Sequence, residues 1–332
     1  MIKNRNIAKD AAIAPSKILG GGMLSAGRVL YVCTATGAMY DRWSESIPKG
    51  DLFLTVAEAY AQTVSGRNDC IVLSPETHTL TSMLSVANNK VHFIGGDVSG
   101  RYYGQRSKIY MADSATSADI ALIKVTGQGV SFHNIKMDSA STVAASIYTF
   151  ADGGEYTFVE NCEIYKSTDL NGDAAAEVLC NGDSSQYFGC TIGSNVNAIT
   201  ATGARPCVLL NRETITGKVA RDVTFKNCIF WRKAGAVGNF FIYGSGATDV
   251  ERMLLIEDCK FFNTKLAAAT PAQSIGMGAA QTTGYVLVVN PYSVGSATAL
   301  STTTGVFVIG PDCGADATTE GSAQMGIAIQ CN

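Results

Sequence analysis

An all-β chain wound as a right-handed parallel β-helix, with three short strands to each rung, is the fold this sequence predicts. Three observations predict it. The first is an eight-residue phrase, apolar–x–apolar–x–Asn–small–x–apolar, that returns along the chain: residues 130–137 (VSFHNIKM), 157–164 (TFVENCEI) and 223–230 (VTFKNCIF) are close copies. Residues 254–261 (LLIEDCKF) and 185–192 (SQYFGCTI) are looser ones, and residues 91–98 (VHFIGGDV) open the series. The second is spacing. The central residues Gly95, Asn134, Asn161, Gly189, Asn227 and Asp258 fall roughly 27 to 39 positions apart, the period of a stacked repeat. The third is composition: 34 glycines against 7 prolines, with 46% hydrophobic residues in 332, which suits short rungs joined by small-residue turns around a sizeable core.

Each part of the phrase has a mechanical meaning. Before the centre, apolar residues alternate with period two, as in a strand with one face buried. The central Asn, Asp or Gly is a residue type that tolerates a left-handed backbone, which costs other side chains roughly 1–2 kcal/mol. After it, Cys162 and Ile164, or Cys228 and Phe230, again stand two apart and face inward together. A strand, a one-residue bend and a second strand make one corner of a rung. A third strand is expected before each corner, at residues 120–125, 145–150, 178–180, 207–210 and 240–243. In such a coil Gly95, Asn134, Asn161, Gly189, Asn227 and Asp258 form a hinge ladder along the axis, as Asn residues do in cross-β stacks. Cys162, Cys190, Cys228 and Cys259 form a buried column beside it. The competing antiparallel sandwich predicts hairpin turns every 8–12 residues and lacks this one-hinge period.

The chain divides into four stretches. Residues 1–27 are mildly basic, have no core-forming period and run through Gly20, Gly21 and Gly22, so they read as an extended arm with a joint. Residues 28–68 are an N-terminal cap: a strand at 28–33, then a short helix capped by Asp51 with Leu52, Val56, Ala59 and Tyr60 on one face. An open first rung needs such a cover. The coil occupies 69–265. Residues 266–332 keep the strand-plus-hinge form at 286–290 and 306–310, as further rungs or as a separate β cap.

Net charge is −3, which implies no general attraction to nucleic acid. No segment approaches the ~20 apolar residues of a membrane span. The first ten residues lack the apolar core of a secretory signal, so synthesis in a cytoplasm is expected. Of the ten cysteines, the four in the column act as small hydrophobes. Cys33, Cys70, Cys180, Cys207, Cys313 and Cys331 lie outside that register. They are either further free thiols or candidates for disulfides and inter-subunit links formed after release into an oxidising medium, with Cys331 the foremost inter-subunit candidate.

Metal and cofactor chemistry finds no motif. The chain holds only His78, His92 and His133, with no Cys-x-x-Cys pair. Residues 169–173 (DLNGD) match the opening of a calcium loop, but the glycine comes two places early and Cys180 stands where its last acid belongs. No metal, cofactor or catalytic residue is therefore assigned. Carbohydrate cleavage, which parallel β-helices carry on one flank, needs carboxylates converging about 5–9.5 Å apart. Asp152, Glu155, Asp169, Asp173, Glu177 and Asp183, with Asp138, Glu160, Glu163 and Glu257 near the corners, are the acids at hand. Asp152, Glu155, Asp169 and Asp173 are expected on solvated turns, and no copy pairs two acids at equivalent positions of neighbouring strands.

The coil start after a short helix and the Asn-Cys rungs resemble the pectate-lyase-like β-helix superfamily found among phage virion proteins. The N-terminal run RNIA (5–8), APSKI (14–18), GGG (20–22) and GRVLYV (27–32) is similar to the start of structural β-helix proteins of tailed bacteriophages. That resemblance implies a non-enzymatic virion component: residues 1–27 dock on the capsid shell or tail, and the coil projects as a spike, fibre or decoration. It also implies a homotrimer, with a host surface glycan as an optional ligand. The alternative is a polysaccharide-degrading or glycan-binding tailspike or adhesin.

Overall fold

The protein is described by a computed structural model over residues 27–96, 107–112, 119–142, 147–169, 175–200, 203–210, 218–235, 239–264, 273–296, 300–301 and 303–310. Its strands make three sheets of 11, 8 and 7 strands, and every strand pair in them is parallel, as between Asp69–Leu73 and Val91–Gly95 or Phe158–Glu160 and Gln186–Phe188. From Asp69–Leu73 onward the chain visits the sheets in turn, so sequence neighbours belong to different sheets and spatial neighbours lie one rung apart. This is a right-handed parallel β-helix. The longest sheet holds the strands before each hinge, the eight-stranded sheet those after it, and the seven-stranded sheet the third strand of each rung.

The hinges follow from the backbone. Asn134, Asn161, Asn227 and Asp258 have φ of 56, 51, 55 and 54°, and Gly189 has 62°. Each hinge N–H donates to the carbonyl just before the hinge of the next rung: Asn161 to Phe188, Gly189 to Lys226, Asn227 to Glu257, all at 2.9 Å. Asn290, with φ 50°, adds a further member, at the end of the strand-plus-hinge stretch 286–290. Gly95 departs from expectation. It is the last residue of the strand Val91–Gly95 and does not join the left-handed set. A Cβ there would stand 2.0 Å from the Asn134 carbonyl oxygen, so glycine is required by close approach of the next rung and not by a bend.

Inside the coil, like residues stack at strand spacing. Phe93 lies over Phe132 at 4.8 Å with planes 7° apart, Tyr187 over Phe225 at 4.6 Å, and Phe230 over Phe261 at 4.9 Å. These match the ~4.8 Å step between strands, and each enclosed aromatic adds about 1.5–3 kcal/mol of burial. Cys162, Cys190, Cys228 and Cys259 form the buried column at the corner. Their thiols reach carbonyls of the preceding rung: Cys190 Sγ to Val159 at 3.3 Å, Cys228 Sγ to Tyr187 and Cys259 Sγ to Phe225 at 3.4 Å.

At the N-terminal end the helix spans Val56–Ala61, shorter than expected and capped by Thr55 in place of Asp51. Thr55 and Glu58 make a reciprocal capping box, while Leu52–Phe53 is drawn into the long sheet beside Val29–Val32. Val56 and Ala59 are buried against the first rung, and the Tyr60 hydroxyl accepts from the N–H groups of Ala87 and Asn88 at 2.7 and 3.0 Å. A second short helix, Tyr40–Ser46, packs Trp43 edge-on against Tyr31 at 5.5 Å. At the other end Gly284–Val289 and Val306–Ile309 extend the long sheet, so the coil continues as far as residue 310.

Candidate functional site

The acidic residues come first, because carbohydrate cleavage would need them. Glu177 faces the interior, fully buried, and accepts from both terminal nitrogens of Arg232 at 3.0 and 2.8 Å. Asp152 also faces inward. Its expectation as a solvated turn residue is overturned, since it ends the buried strand Tyr148–Asp152. It accepts from Thr157 Oγ1 and the Tyr187 hydroxyl at 2.9 Å and from the Gly154 N–H at 3.1 Å. Burial raises its pKa against those hydrogen bonds. The others are tied outside. Asp138 pairs with Lys108 at 2.6 Å, Glu163 with Lys136 at 3.1 Å, Asp183 with Arg221 at 3.2 Å and Glu257 with Lys226 at 2.8 Å. Glu155 meets Gln128, and Asp169 accepts from the Thr200 N–H at 3.2 Å. Asp173 lies outside the described residues. Each of these carboxylates reaches a residue from another rung.

Glu160 takes part in a longer chain on the outer face of the long sheet. Ser131 and His133 flank the buried Phe132 on the strand Ser131–His133, so both point outward. Register places His92 beside Ser131 and Glu160 beside His133. Ser131 Oγ lies 2.9 Å from His133 Nε2 and 2.7 Å from His92 Nδ1. His133 Nδ1 is 3.1 Å from Glu160 Oε2, and His92 Nε2 is 2.8 Å from Asn68 Oδ1. Burial holds both imidazoles below the usual histidine range; Glu160 opposes this at His133, and His133 reinforces it at His92. Hydroxyl, imidazole and carboxylate thus stand in hydrogen-bonded sequence, the order a nucleophile, its base and the group that orients the base require. The sequence reading used these histidines only to weigh metal binding. Laying the phrase copies over one another reveals the cluster, because His92 and Ser131 both stand three before their hinge, and His133 and Glu160 both one before.

The other outer faces differ in character. On the eight-stranded sheet, Lys108 lies over Tyr110 at 4.4 Å and Lys136 over Tyr165 at 4.9 Å, while the Tyr165 hydroxyl donates to Asp138 at 3.0 Å. Further along, Trp231, Phe262 and Tyr292 follow one another at 4.9 and 5.7 Å. Trp231 lies within the strand Ile229–Ala234. On the seven-stranded sheet, Ala121, Tyr148, Ala151, Ala176 and Leu209 form a second, buried apolar cluster.

Cys33, Cys70, Cys180 and Cys207, considered for disulfides or inter-subunit links, are buried free thiols, and no disulfide forms among the described residues. Burial raises the Cys70 pKa to about 12, and the Cys207 thiol, also pushed up by burial, sits 3.1 Å from Arg232 Nη2. Cys313 and Cys331 lie outside the described residues, as do residues 1–26 of the arm. No group of three His, Cys, Asp or Glu side chains among the described residues is disposed to hold a metal ion. No helix among them is long and apolar enough to cross a membrane.

No protein-family model and no curated protein matches the chain. Solved structures do. A pectin methylesterase in complex with a hexasaccharide aligns over 89% of this chain and 91% of its own, with TM-score 0.56 and 13% identity. The pectin methylesterase of Aspergillus niger aligns over 90% and 88%, with TM-score 0.54 and 15% identity. A pectate lyase aligns over 82% and 71%, with TM-score 0.52 and 12% identity. At such identities the likeness concerns the fold: this chain has the pectate-lyase-like parallel β-helix architecture.

Proposed function

We propose that this chain is a structural component of a tailed-phage particle. It is made in the host cytoplasm and joins the virion through residues 1–27, with the coil projecting as a spike, fibre or decoration and the subunit assembling as a homotrimer. One observation carries the mechanical half of this reading: the candidate carboxylates are spent on ties between rungs. Asp138–Lys108, Glu163–Lys136, Asp183–Arg221 and Glu257–Lys226 cross from strand to strand outside, and Glu177–Arg232 does so inside. The exposed pairs, Asp183–Arg221 and Glu257–Lys226, contribute about 0–1 kcal/mol each, yet together with the more enclosed Asp138–Lys108 and Glu163–Lys136 the set fixes rung against rung along a rod. The particle half rests on the N-terminal resemblance. Deleting residues 1–27 tests it: the truncated protein should fold, remain trimeric by light scattering and fail to enter particles. Normal incorporation would refute the docking role.

A second reading, glycan binding, is favoured by the aromatic row Trp231–Phe262–Tyr292, since ring faces are good platforms for sugar. Binding to host-surface glycans that is lost in Trp231→Ala would support it. Time-dependent release of oligosaccharides, abolished in Asp138→Asn with Glu163→Gln, would replace the structural reading with the polysaccharide-degrading one.

A further inference from the structure

The tie through Glu160 runs from a carboxylate through an imidazole to a serine hydroxyl that a second imidazole also meets. The polarity of its hydrogen bonds can be derived from one end. Glu160 can only accept, so a neutral His133 carries its proton on Nδ1 and presents a lone pair at Nε2. Ser131 then donates its single proton to His133 Nε2 across 2.9 Å. The serine oxygen in turn accepts from His92 Nδ1 across 2.7 Å. His92 Nε2 is left as an acceptor; Asn68 Oδ1 stands 2.8 Å from it, so this polarity requires the Asn68 amide to be turned over, with its nitrogen facing the ring. Amide orientation of this kind is fixed by the network. Every donor then has an acceptor with both imidazoles neutral, the form that burial favours at both. The resting chain therefore holds a serine hydroxyl aimed at a base whose far side is held by a carboxylate.

We propose that Ser131, His133 and Glu160 form an acyl-transfer site for small carboxylic esters, with His92 as the hydrogen-bond donor on the other side of the nucleophile. Ser131 Oγ attacks the ester carbonyl carbon while its proton passes to His133 Nε2. The carbon–alkoxy bond breaks, and the alcohol departs with that proton. Water, deprotonated by His133, then attacks the acyl-serine, releasing the acid and restoring the serine. Glu160 is a positioning residue, fixing the tautomer and stabilising the imidazolium. The acyl group is limited in size, because Ser131 is only 3% exposed between the two rings. Acetyl fits this limit better than long chains. Ester cleavage leaves a glycan backbone intact, so the proposal stands or falls separately from the particle reading.

The test uses full-length protein and an ethyl fluorophosphonate probe, with the modified residue located by peptide mass spectrometry. Phosphonylation of Ser131 in the folded wild type is expected, at a rate lowered on the order of 10²-fold or more in His133→Ala. In Glu160→Gln the rate should fall, and its dependence on pH should move to lower pH, because the imidazolium has lost its anion; His92 is the other titratable group bearing on His133. A purely structural carboxylate would leave that profile in place. Para-nitrophenyl acetate should be hydrolysed faster than the decanoate by wild type and no faster than background by Ser131→Ala. An unlabelled Ser131 in folded wild-type protein would overturn the proposal without requiring any variant to be stable, and labelling indifferent to a folded His133→Ala would overturn it as well.

Discussion

Glu177 and Arg232 form a two-pronged ion pair enclosed within the coil, with both side chains at 1% exposure or less. They are 55 residues apart and belong to different sheets, so the bond ties the third strand of one rung to the second strand of a later one. Such a pair draws its effect from mutual satisfaction, since either charge alone would be stranded in a dry interior. Arg232→Met should cost about 3–5 kcal/mol in denaturant unfolding. Combining it with Glu177→Leu should recover most of that loss. A single variant as stable as wild type would show that water reaches the pair.

The hinge ladder gives a backbone test. Asn227 sits at φ 55°, a conformation that a β-branched side chain adopts only under strain of about 1–3 kcal/mol. Asn227→Val should lower stability by that amount, whereas Asn227→Gly should stay within about 1 kcal/mol of wild type. Equal effects of the two substitutions would place the hinge energy in side-chain bonds and not in backbone geometry.

Asp152 predicts a pH dependence. Its pKa in the folded state is raised from 3.8 by burial, so the folded protein holds a proton that the unfolded chain has already lost. The resulting stability is fully present below 3.8 and is lost as pH rises through the folded value. The difference in unfolding free energy between wild type and Asp152→Asn should therefore shift against wild type on going from pH 4 towards neutrality. A constant difference over that range would mean that the folded and unfolded values coincide.

Thiol chemistry provides a further check. The eight described cysteines are buried, and burial pushes thiols such as Cys162, Cys180, Cys190 and Cys228 well above their ordinary range. They should resist a disulfide reagent at pH 8 until denaturant is added. Any fast phase then belongs to Cys313 or Cys331, and modification of Cys33 or Cys70 in native protein would contradict the packing at the first rung.

The coil was legible because its signal is periodic. Asn134, Asn161 and Asn227 each mark a bend, and apolar residues two apart on either side mark the buried faces, so register follows from superposing copies. Gly95 misled because a glycine at a hinge position reads the same whether it bends or merely admits a neighbour's carbonyl. Asp51 lost the helix start to Thr55 because Glu58 completes a capping box that only Thr55 can close. Asp152 and Glu177 looked like turn acids since a lone sequence does not say which residues at a corner face inward; their partners Tyr187 and Arg232 are 35 and 55 residues away. The Ser131–His133–Glu160 cluster was present in the aligned phrases. It was missed by reading each copy along the chain and not across the stack.

Among the described residues, the last strand, Val306–Ile309, has a neighbour on one side only, Gly284–Val289, and turns Phe307 and Ile309 outward at 57% and 56% exposure. A β-helix made of parallel strands repeats its own edge at every level, so the surface offered after Val306–Ile309 is the same kind of template that each earlier rung used to recruit the next. Any extended segment with alternating apolar residues can add to it. Whatever follows residue 310 in the chain therefore also decides whether the rod stops or seeds fibres. A version cut at Gly310 would be expected to join end to end into filaments that bind amyloid dyes while keeping a native-like rung spacing.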